Sequence, residues 1–429
     1  MSYYHLPLTN WIDFAESAPL QSKPLPMHKR WWIAGLLATA TAINYLDRQN
    51  LPVAIGEIQK SIPISDAQYS HLQFLFLLAY GSMYAVGGRI LDRLGARWGY
   101  ALMIVWWSAA NVLHGLAGSV TQLGAVRFAL GLGEGGGFPG SAKAVAEWFP
   151  VEERSFAFGL FNTGSSVGAV IAPPMIAAIA MSLGWRWVFI VTGALGFSWT
   201  LVWVMVYRTP ALSHASKTAS PPQWIGLLRD RRVLGMCAAK WLGDSAWYFF
   251  IFWLPKYLAD VRHLNIKQIG YFAWIPYAFA GAGSLFGGWF SGYLIRHGWS
   301  VASSRKLCLA IAASLPPTAL LITASPLAMA IVFFSMAMFG HQFWSTIMQT
   351  LAADLFPPKS VGSVTGLVGA SGSFGGMLFN LAVGAMLMSF GSYAPVFLVA
   401  GLLHPASVLV ILAMRVAPRE TLSKAASPA

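Results

Sequence analysis

The chain has 429 residues, of which 56% are hydrophobic and only 10% are charged. A soluble domain carries about 25% charged residues, so this composition excludes a soluble protein and makes the bilayer the solvent for much of the surface. A net charge of +13 in a soluble protein would suggest nucleic acid as a partner. In a membrane protein it follows from Lys and Arg collecting in cytoplasmic loops, so we expect no nucleic-acid partner.

The chain begins with a polar, proline-interrupted segment, 1–30, followed by an apolar stretch that starts at Trp31. No apolar core precedes a small-residue cleavage site, so we expect a cytoplasmic N-terminal segment and a retained first membrane helix. Twelve apolar stretches follow, each long enough to cross about 30 Å of hydrocarbon. They run over 31–55, 68–88, 98–118, 121–145, 155–182, 187–207, 233–258, 268–295, 305–323, 326–350, 360–388 and 394–415.

One long polar insertion, 208–232, divides these stretches into two groups of six. It contains Pro210, Pro221 and Pro222 and is typical of a linker. The sequence therefore predicts a six-helix bundle over 31–207, a cytoplasmic linker, a second bundle over 233–416 and a cytoplasmic tail over 417–429.

The basic residues indicate the orientation of the chain. Placing both termini in the cytoplasm puts most Lys and Arg on that side, and the other side keeps only Lys60, Arg186, Lys256, Arg262 and Lys267. Cytoplasmic loops carry an excess of basic residues, so this orientation is predicted.

The two halves of the chain are related by a weak internal repeat. Residues 147–150 read Glu-Trp-Phe-Pro and are followed by Gly159 and Gly168; residues 354–357 read Asp-Leu-Phe-Pro and are followed by Gly366 and Gly375. Such repeats are expected of secondary transporters, whose substrate site lies between the halves near the membrane midplane.

The loop after the second stretch carries a motif with five fixed positions: Gly88, Asp92, Arg93, Gly95 and Arg97. It resembles the G-x-x-x-D-R-x-G-x-R loop of the major facilitator superfamily. We expect a role in conformational gating, because an Asp at a helix end can pair with basic groups or cap a helix N-terminus in one state only.

Further motifs resemble the anion:cation symporter family within that superfamily. They are Asn44-Tyr-Leu-Asp-Arg48, Glu147-Trp-Phe-Pro-x-x-Glu-Arg154 and Phe249-Phe-x-x-Trp-Leu-Pro-x-Tyr257. The stretch from 147 to 174 is most similar to hexuronate transporters. The resemblance implies an all-α integral membrane protein of 12 transmembrane helices in two pseudo-symmetric bundles. It implies a secondary transporter, not an enzyme, that is monomeric, lies in a bacterial inner membrane, carries a small organic anion and needs no cofactor besides the coupling protons.

Charged groups at membrane depth are candidate functional residues, because each costs about 2.5 to 3.5 kcal/mol to insert near a helix centre. Arg127 and Glu134 are seven residues apart, so we expect them on one helix face roughly 10 Å apart. The Arg fork suits a carboxylate substrate, whereas a Glu with little nearby water can take up a proton near neutral pH. A permanent structural ion pair with another helix is the alternative.

The adjacent Asp47 and Arg48 point about 100° apart on a helix, so only one of them is expected to face a given spot. For Arg48, snorkelling toward the outer membrane surface is the alternative. The resemblance to galactonate transporters implies that Asp47 and Glu134 carry protons, while Arg48 and Arg127 bind the anion.

Polar side chains are expected to complete a sugar site. The resemblance to galactonate transporters implies Tyr45 and Tyr80 in the first half. Ser165 is a further candidate, at a position where those proteins have a Gln, so we expect a different hydroxyl contact there. The repeat and its surroundings add Ser371, Ser373 and Asn380 in the second half. An interhelical hydrogen bond is an equal alternative for each of them.

Three further charged or titratable groups lie in the second half. Lys240 and Asp244 are spaced i, i+4, and their simplest interpretation is an ion pair that lowers the cost of both charges. His341 occupies the repeat position of Glu134 and could relay protons or donate an interhelical hydrogen bond.

The sequence therefore predicts proton-coupled uptake of a sugar acid, galacturonate or glucuronate, by alternating access. Other organic anions, such as galactonate, glucarate or an aromatic carboxylate, and export remain alternatives within transport. A membrane-embedded enzyme or a sensor is the alternative from another class, but neither an H-E-x-x-H nor a G-x-S-x-G motif in a suitable context is present.

Overall fold

The computed structural model describes residues 27–149, 151–209, 224–356 and 358–414, which are almost entirely helical. The helices of the first half are α1 (Met27–Gln59), α2 (Asp66–His114), α3 (Val120–Glu134), α4 (Gly137–Trp148), α5 (Val151–Leu183) and α6 (Trp185–Val206). Those of the second half are α7 (Trp224–Leu227), α8 (Arg231–Asp260), α9 (Ile266–Phe272), α10 (Trp274–Arg296), α11 (Val301–Ser314), α12 (Leu327–Leu355), α13 (Pro358–Phe390) and α14 (Ala394–Ala413), with a 3₁₀ helix at Pro316–Leu321.

These elements form twelve membrane spans. The long helix α2 supplies two of them, because Gly95 adopts φ 75° and ψ 163°, a conformation that reverses the chain and that favours glycine. Three other spans are each built from two consecutive elements: α3 with α4, α9 with α10, and α11 with the 3₁₀ helix. The predicted all-α fold with twelve transmembrane helices is confirmed.

Composition varies among the spans. Within the described chain, five segments are long and apolar enough to cross a membrane by length and composition alone: Gly159–Leu183, Trp185–Val206, Leu327–Ala352, Ser363–Phe390 and Ala394–Ala413. The spans outside this group include those that carry Asp47, Arg127 and Lys240.

The two halves meet through pairs of helices that include α2 with α13, α5 with α10 and α1 with α8. Small residues allow close packing within each half. In α5, a side chain at Gly164 or Gly168 would collide with the backbone of α1 at Ala38 or Ala42, so glycine is required for this approach.

The spans alternate in direction, which defines two ends of the bundle. We call the end at Gly95 the motif end, and the end at Asp66, where α2 begins, the far end. A capping box fixes that beginning: Gln68 N–H donates to Ser65 Oγ at 3.2 Å, and Ser65 N–H donates to Gln68 Oε1 at 2.9 Å.

Several predicted features fall on residues outside the described ones. These are residues 1–26 of the N-terminal segment, 210–223 of the linker, 415–429 at the C-terminus, and Pro150 and Pro357 of the repeated motif. Where the boundaries are described, α1 begins at Met27 and α8 at Arg231, a few residues before the predicted bundle limits of 31 and 233.

Candidate functional site

A cavity of about 560 Å³ lies between the two halves, within the usual range for small-molecule sites. Helices α1 to α5 of one half and α8, α10, α12 and α13 of the other contribute to its wall. Its lining extends to Gly159 and Ala352, near the motif end. Among the described residues, its wall carries four charged side chains and one histidine: Arg48, Glu134, Lys240, Asp244 and His341.

Arg48 and Glu134 form an ion pair in the wall of the first half. Arg48 Nε and Nη2 both donate to Glu134 Oε2, at 3.0 and 2.9 Å. Nη2 also donates to Asn44 Oδ1 at 3.1 Å. The guanidinium lies over the rings of Tyr45 and Tyr80, at 4.9 and 4.7 Å from their centroids, a favourable cation–π geometry. This arrangement holds the positive group at the cavity and excludes the snorkelling alternative for Arg48.

Asp47 points away from this pair into a polar network between α1, α2 and α6. Its Oδ1 accepts from Asn111 Nδ2 at 2.7 Å, and Asn111 Nδ2 and Asn50 Nδ2 each lie 2.7 Å from Thr192 Oγ1. The carboxylate is fully buried, and its Oδ2 has no hydrogen-bond partner among the described residues. The two adjacent side chains therefore face different surroundings, as their spacing predicts.

Arg127 is fully buried and does not line the cavity. Its Nη2 donates to Gln73 Oε1 at 3.1 Å and to the Arg48 carbonyl at 3.3 Å. The Phe76 ring contacts both guanidiniums, at 4.6 Å from Arg127 Cζ and 5.5 Å from Arg48 Cζ. Arg127 Nε and Nη1 have no hydrogen-bond partner within the described chain. The helical spacing from Glu134 places Arg127 two turns nearer the far end, beyond the cavity in this state.

Four of the six predicted polar residues line the cavity, namely Tyr45, Tyr80, Ser165 and Ser373. The other two make interhelical hydrogen bonds. Ser371 Oγ donates to the Cys237 carbonyl at 3.1 Å, and Asn380 Oδ1 accepts from Trp253 Nε1 at 2.8 Å. Ser373 does both, since its Oγ also lies 3.4 Å from Tyr248 Oη of α8. The substrate-binding roles of the four lining residues stay predictions.

The wall of the second half carries its own ion pair. Lys240 Nζ lies 2.9 Å from Asp244 Oδ1 and donates to Ser345 Oγ at 3.0 Å. His341 stacks on Trp247 with ring centroids 4.5 Å apart, and its Nδ1 lies 2.9 Å from Nε2 of the buried His404. Glu134 and His341, at repeat-related positions, therefore face the same cavity from opposite halves.

The far end of the cavity is closed by contacts between the halves. Tyr69 Oη donates to the Phe252 carbonyl at 2.5 Å. Lys256 Nζ lies 2.7 Å from Asp66 Oδ1 in the other half and also contacts Asp260 in its own helix. The state described here is therefore closed at the far end, with a cavity that extends toward the motif end.

The predicted gating motif lies at the motif end. Gly95 makes the chain reversal, Arg93 is exposed, and Arg97 Nη2 donates to the Val204 carbonyl of α6 at 2.8 Å. The Gly88 and Asp92 positions lie in α2, but their surroundings fall outside the described part of the chain. The gating role stays a prediction.

Sequence reasoning missed several wall residues. Tyr84, Tyr248 and Asn162 line the cavity, and so does Asn44, which contacts Arg48. All four carried a signal, because each lies three or four residues from a residue that the sequence had already singled out, on the same helix face. Asn44 precedes Arg48 by four, Tyr84 follows Tyr80 by four, Tyr248 follows Asp244 by four and Asn162 precedes Ser165 by three.

Two six-span bundles around a central cavity, closed at one end and extending toward the other, are the architecture of a membrane transporter. The family model of the Major Facilitator Superfamily matches residues 37–378, and the chain belongs to this superfamily. It is an integral membrane transporter and not an enzyme.

Three similar proteins are named as transporters of sugar acids. The hexuronate transporter of Escherichia coli (strain K12) is 33% identical over 403 residues, covering 89% of this chain and 93% of that protein. The galacturonate transporter of Dickeya chrysanthemi is 33% identical over 278 residues, 61% of this chain and 81% of its own. The D-galactonate transporter of Escherichia coli O6:H1 is 30% identical over 86% of this chain and 92% of its own.

Solved structures agree in fold. A bacterial homologue of the human lysosomal transporter Spinster, in an inward-facing and unoccupied conformation, superposes with a TM-score of 0.71 at 20% identity, over 93% of this chain and 96% of that one. The nucleoside transporter NupG superposes with a TM-score of 0.69 at 14% identity, over 89% and 99% of the two chains.

Proposed function

We propose that this protein takes up a sugar acid, a hexuronate such as galacturonate or glucuronate, together with protons. The observation that carries the proposal is the Arg48–Glu134 pair in the cavity wall, surrounded by Tyr45, Tyr80 and Asn44. A guanidinium that already holds a carboxylate side chain at the cavity can hold a substrate carboxylate in the same way. The names of the relatives, which transport hexuronate, galacturonate and galactonate, support this substrate class.

Proton coupling follows from the charge balance of this pair. Removing one partner of a buried ion pair is strongly destabilising, by about 3 to 5 kcal/mol, because it leaves an uncompensated charge. When the substrate carboxylate replaces Glu134 at Arg48, Glu134 must therefore take up a proton. We propose that this exchange at Glu134 couples one proton to each substrate. We propose Asp47, whose carboxylate accepts a hydrogen bond from Asn111, as a second proton site.

Alternating access then uses the two ends of the bundle. In the described state the far end is closed by Tyr69, Asp66 and Lys256, so substrate leaves toward the motif end. We propose that this end faces the cytoplasm of a bacterial inner membrane and that both termini lie there, as the distribution of Lys and Arg predicts. We further propose that 208–232 is a cytoplasmic linker, that the motif from Gly88 to Arg97 gates the conformational change, and that the protein is a monomer.

The sequence suggests that Arg127 binds the substrate anion, but in the described state its side chain does not line the cavity. Its contact with substrate requires the Phe76 ring to move, since that ring lies against both guanidiniums. We assign the carboxylate contact in the described state to Arg48 and reserve Arg127 for the state that is open at the far end.

The test is uptake of labelled galacturonate into proteoliposomes, with and without an inward proton gradient. Unlabelled glucuronate, galactonate and glutamate serve as competitors. Accumulation that depends on the gradient and is blocked best by glucuronate is expected. Folded protein that gives no galacturonate uptake would disprove the substrate assignment, and uptake indifferent to the gradient would disprove the coupling.

A further inference from the structure

The first half contains a buried histidine that the proposed function does not use. His114 is the last residue of α2 and is fully buried, with its ring stacked on Phe189 at 5.1 Å between centroids. Its Nδ1 lies 2.8 Å from the Ala110 carbonyl. Because a carbonyl only accepts, Nδ1 carries the proton of the neutral ring and Nε2 is left as an acceptor. Nε2 has no hydrogen-bond partner among the described residues.

His114 lies one helical turn from the network that holds Asp47. Asn111, which donates to Asp47 Oδ1 at 2.7 Å and to the Phe189 carbonyl at 3.2 Å, precedes His114 by three residues. This span of α2 runs toward the far end, so His114 lies about 4.5 Å nearer that end than Asn111. Asn50 follows Asp47 by three residues in α1, which runs the same way. The two helices therefore carry polar groups from the level of Asp47 one turn toward the far end.

The route from this turn to the far end is short and separate from the cavity. The chain leaves α2 at His114, and Leu116, two residues on, is 68% exposed in the loop at the far end. The cavity, by contrast, is closed at the far end by Tyr69 and Lys256. Neither His114 nor Asp47 lines it. A proton that reaches Asp47 from the far end in this state therefore has to pass through the first half itself.

Three acceptors along this route lack hydrogen-bond partners. They are Asp47 Oδ2, Asn50 Oδ1 and His114 Nε2, all in fully buried side chains and all without a partner within the described parts of the chain. Buried polar groups are normally bonded to protein or to ordered water, and a buried water typically makes about three hydrogen bonds. Each of these atoms can accept a hydrogen bond from water, so water bonded to them links His114 to Asp47. Two charged groups act on the route: Arg127 interacts electrostatically with His114, and Glu134 with Asp47.

We infer that His114 carries protons between the far end and Asp47 while the cavity is closed at that end. A proton from the far end adds to the Nε2 lone pair, and the same nitrogen then releases it through water to Asp47 Oδ2, which becomes a neutral acid. The Nδ1 proton stays on the ring, bonded to the Ala110 carbonyl. The inference rests on the proposed role of Asp47 as a proton site and adds the side from which it is loaded. Glu134, in the cavity wall, exchanges protons toward the motif end instead.

The test follows protons and needs no substrate. Solid-supported membrane electrophysiology records the charge displaced in proteoliposomes of the full-length protein when the pH is stepped. Glu134→Gln is the reference protein, because it leaves Asp47 as the proton site to be followed, and the part of the displacement that a further Asp47→Asn removes is the signal. In this reference, His114→Ala should leave the size of the signal unchanged and slow it about a hundredfold, the lower range for a positioned proton-transfer group.

Imidazole distinguishes a proton carrier from a ring that only fills space. His114→Ala leaves a space the size of the lost ring, so imidazole added to the buffer should restore the rate. His71→Ala is the matched control: His71 Nδ1 also bonds the carbonyl four residues before it, at 2.9 Å, but its side chain is exposed, so the rate should equal that of the reference with and without imidazole. His114→Phe keeps a ring against Phe189 and fills the space. It should be as slow as His114→Ala without rescue, and it provides the measurement if His114→Ala does not fold.

Three results would overturn the inference. They are the absence of any signal that depends on Asp47, a rate in His114→Ala equal to that of the reference (or in His114→Phe, if His114→Ala does not fold), and a slow rate in His114→Ala that imidazole leaves unchanged. Failure of the proposed function is seen separately, in galacturonate uptake. Uptake together with a signal indifferent to His114 contradicts this proton route alone, whereas a His114-dependent signal without galacturonate uptake contradicts the hexuronate assignment alone.

Discussion

Lys256 in α8 and Asp66 in α2 join the two halves of the protein across the far end, with 2.7 Å between Nζ and Oδ1. Lys256 is almost fully buried, whereas Asp66 is partly exposed. The same ammonium contacts Asp260 in its own helix. One lysine therefore has two acidic partners, and only the pair with Asp66 depends on the far end being closed.

This difference predicts unequal effects of removing the two acids. Asp66→Asn should favour opening of the far end by about 1 kcal/mol, the upper range for a partly exposed pair, which shifts the equilibrium about fivefold. Asp260→Asn is the control, because it leaves the contact between the halves in place. Spin labels at His71→Cys and Tyr271→Cys, on opposite halves, would report the opening as a longer distance in a background lacking Cys237 and Cys308. Equal distance distributions for both variants would contradict the role of Asp66.

Replacement of Glu134 tests the proposed proton coupling. Glu134→Gln keeps the shape and can still accept from Arg48, but it cannot bind and release a proton. We expect gradient-driven accumulation of galacturonate to fall to the level of passive equilibration, while exchange of labelled for unlabelled substrate continues. The measurement is uptake and counterflow on the same proteoliposomes. Gradient-driven accumulation at the wild-type level in Glu134→Gln would remove this residue from the coupling mechanism.

Arg48→Lys tests whether the guanidinium shape is needed. Lysine offers a point charge in place of the two donors, Nε and Nη2, and it loses the stacking on Tyr45 and Tyr80. We expect the KM for galacturonate to rise about tenfold or more, since one charge-assisted hydrogen bond is lost. Arg262→Lys, at a basic site on the far end, is the matched control. A KM that changes equally in both variants would show that Arg48 acts through stability and not through the substrate.

The sequence predicts the spans and the buried charges well, because their signals are local. Charge at membrane depth identifies Arg48, Arg127 and Glu134 directly, and the i, i+4 spacing predicts the Lys240–Asp244 pair that the structure forms. Contacts between residues from distant segments cannot be predicted in this way. Arg48 and Glu134 are 86 residues apart, and nothing in either helix specifies that they meet.

The rotation of each helix about its own axis also cannot be predicted from the sequence. A helix that is apolar on most of its circumference has no single buried stripe to orient it. For Asp47 the orientation is set by Asn111 and Thr192 on two other helices. For Arg127 it is Gln73 and the Phe76 ring of α2 that keep the guanidinium outside the cavity.

Close packing of Gly133 against Trp107 supports Glu134, the next residue of α3. A side-chain carbon at Gly133 would lie 2.6 Å from Trp107 Cβ and 2.8 Å from Trp107 N, distances at which backbone must move. Gly133→Ala should therefore destabilise the protein by about 1 to 3 kcal/mol, as overpacking does. At Gly35, also within a helix, the same methyl group meets nothing within 4 Å, and alanine should be neutral or slightly stabilising because of its higher helix propensity. Thermal unfolding in detergent, followed by tryptophan fluorescence, compares the two variants. A melting temperature for Gly133→Ala equal to that of Gly35→Ala would show that α2 and α3 can separate at this point without loss, and that the position of Glu134 is not fixed by their contact.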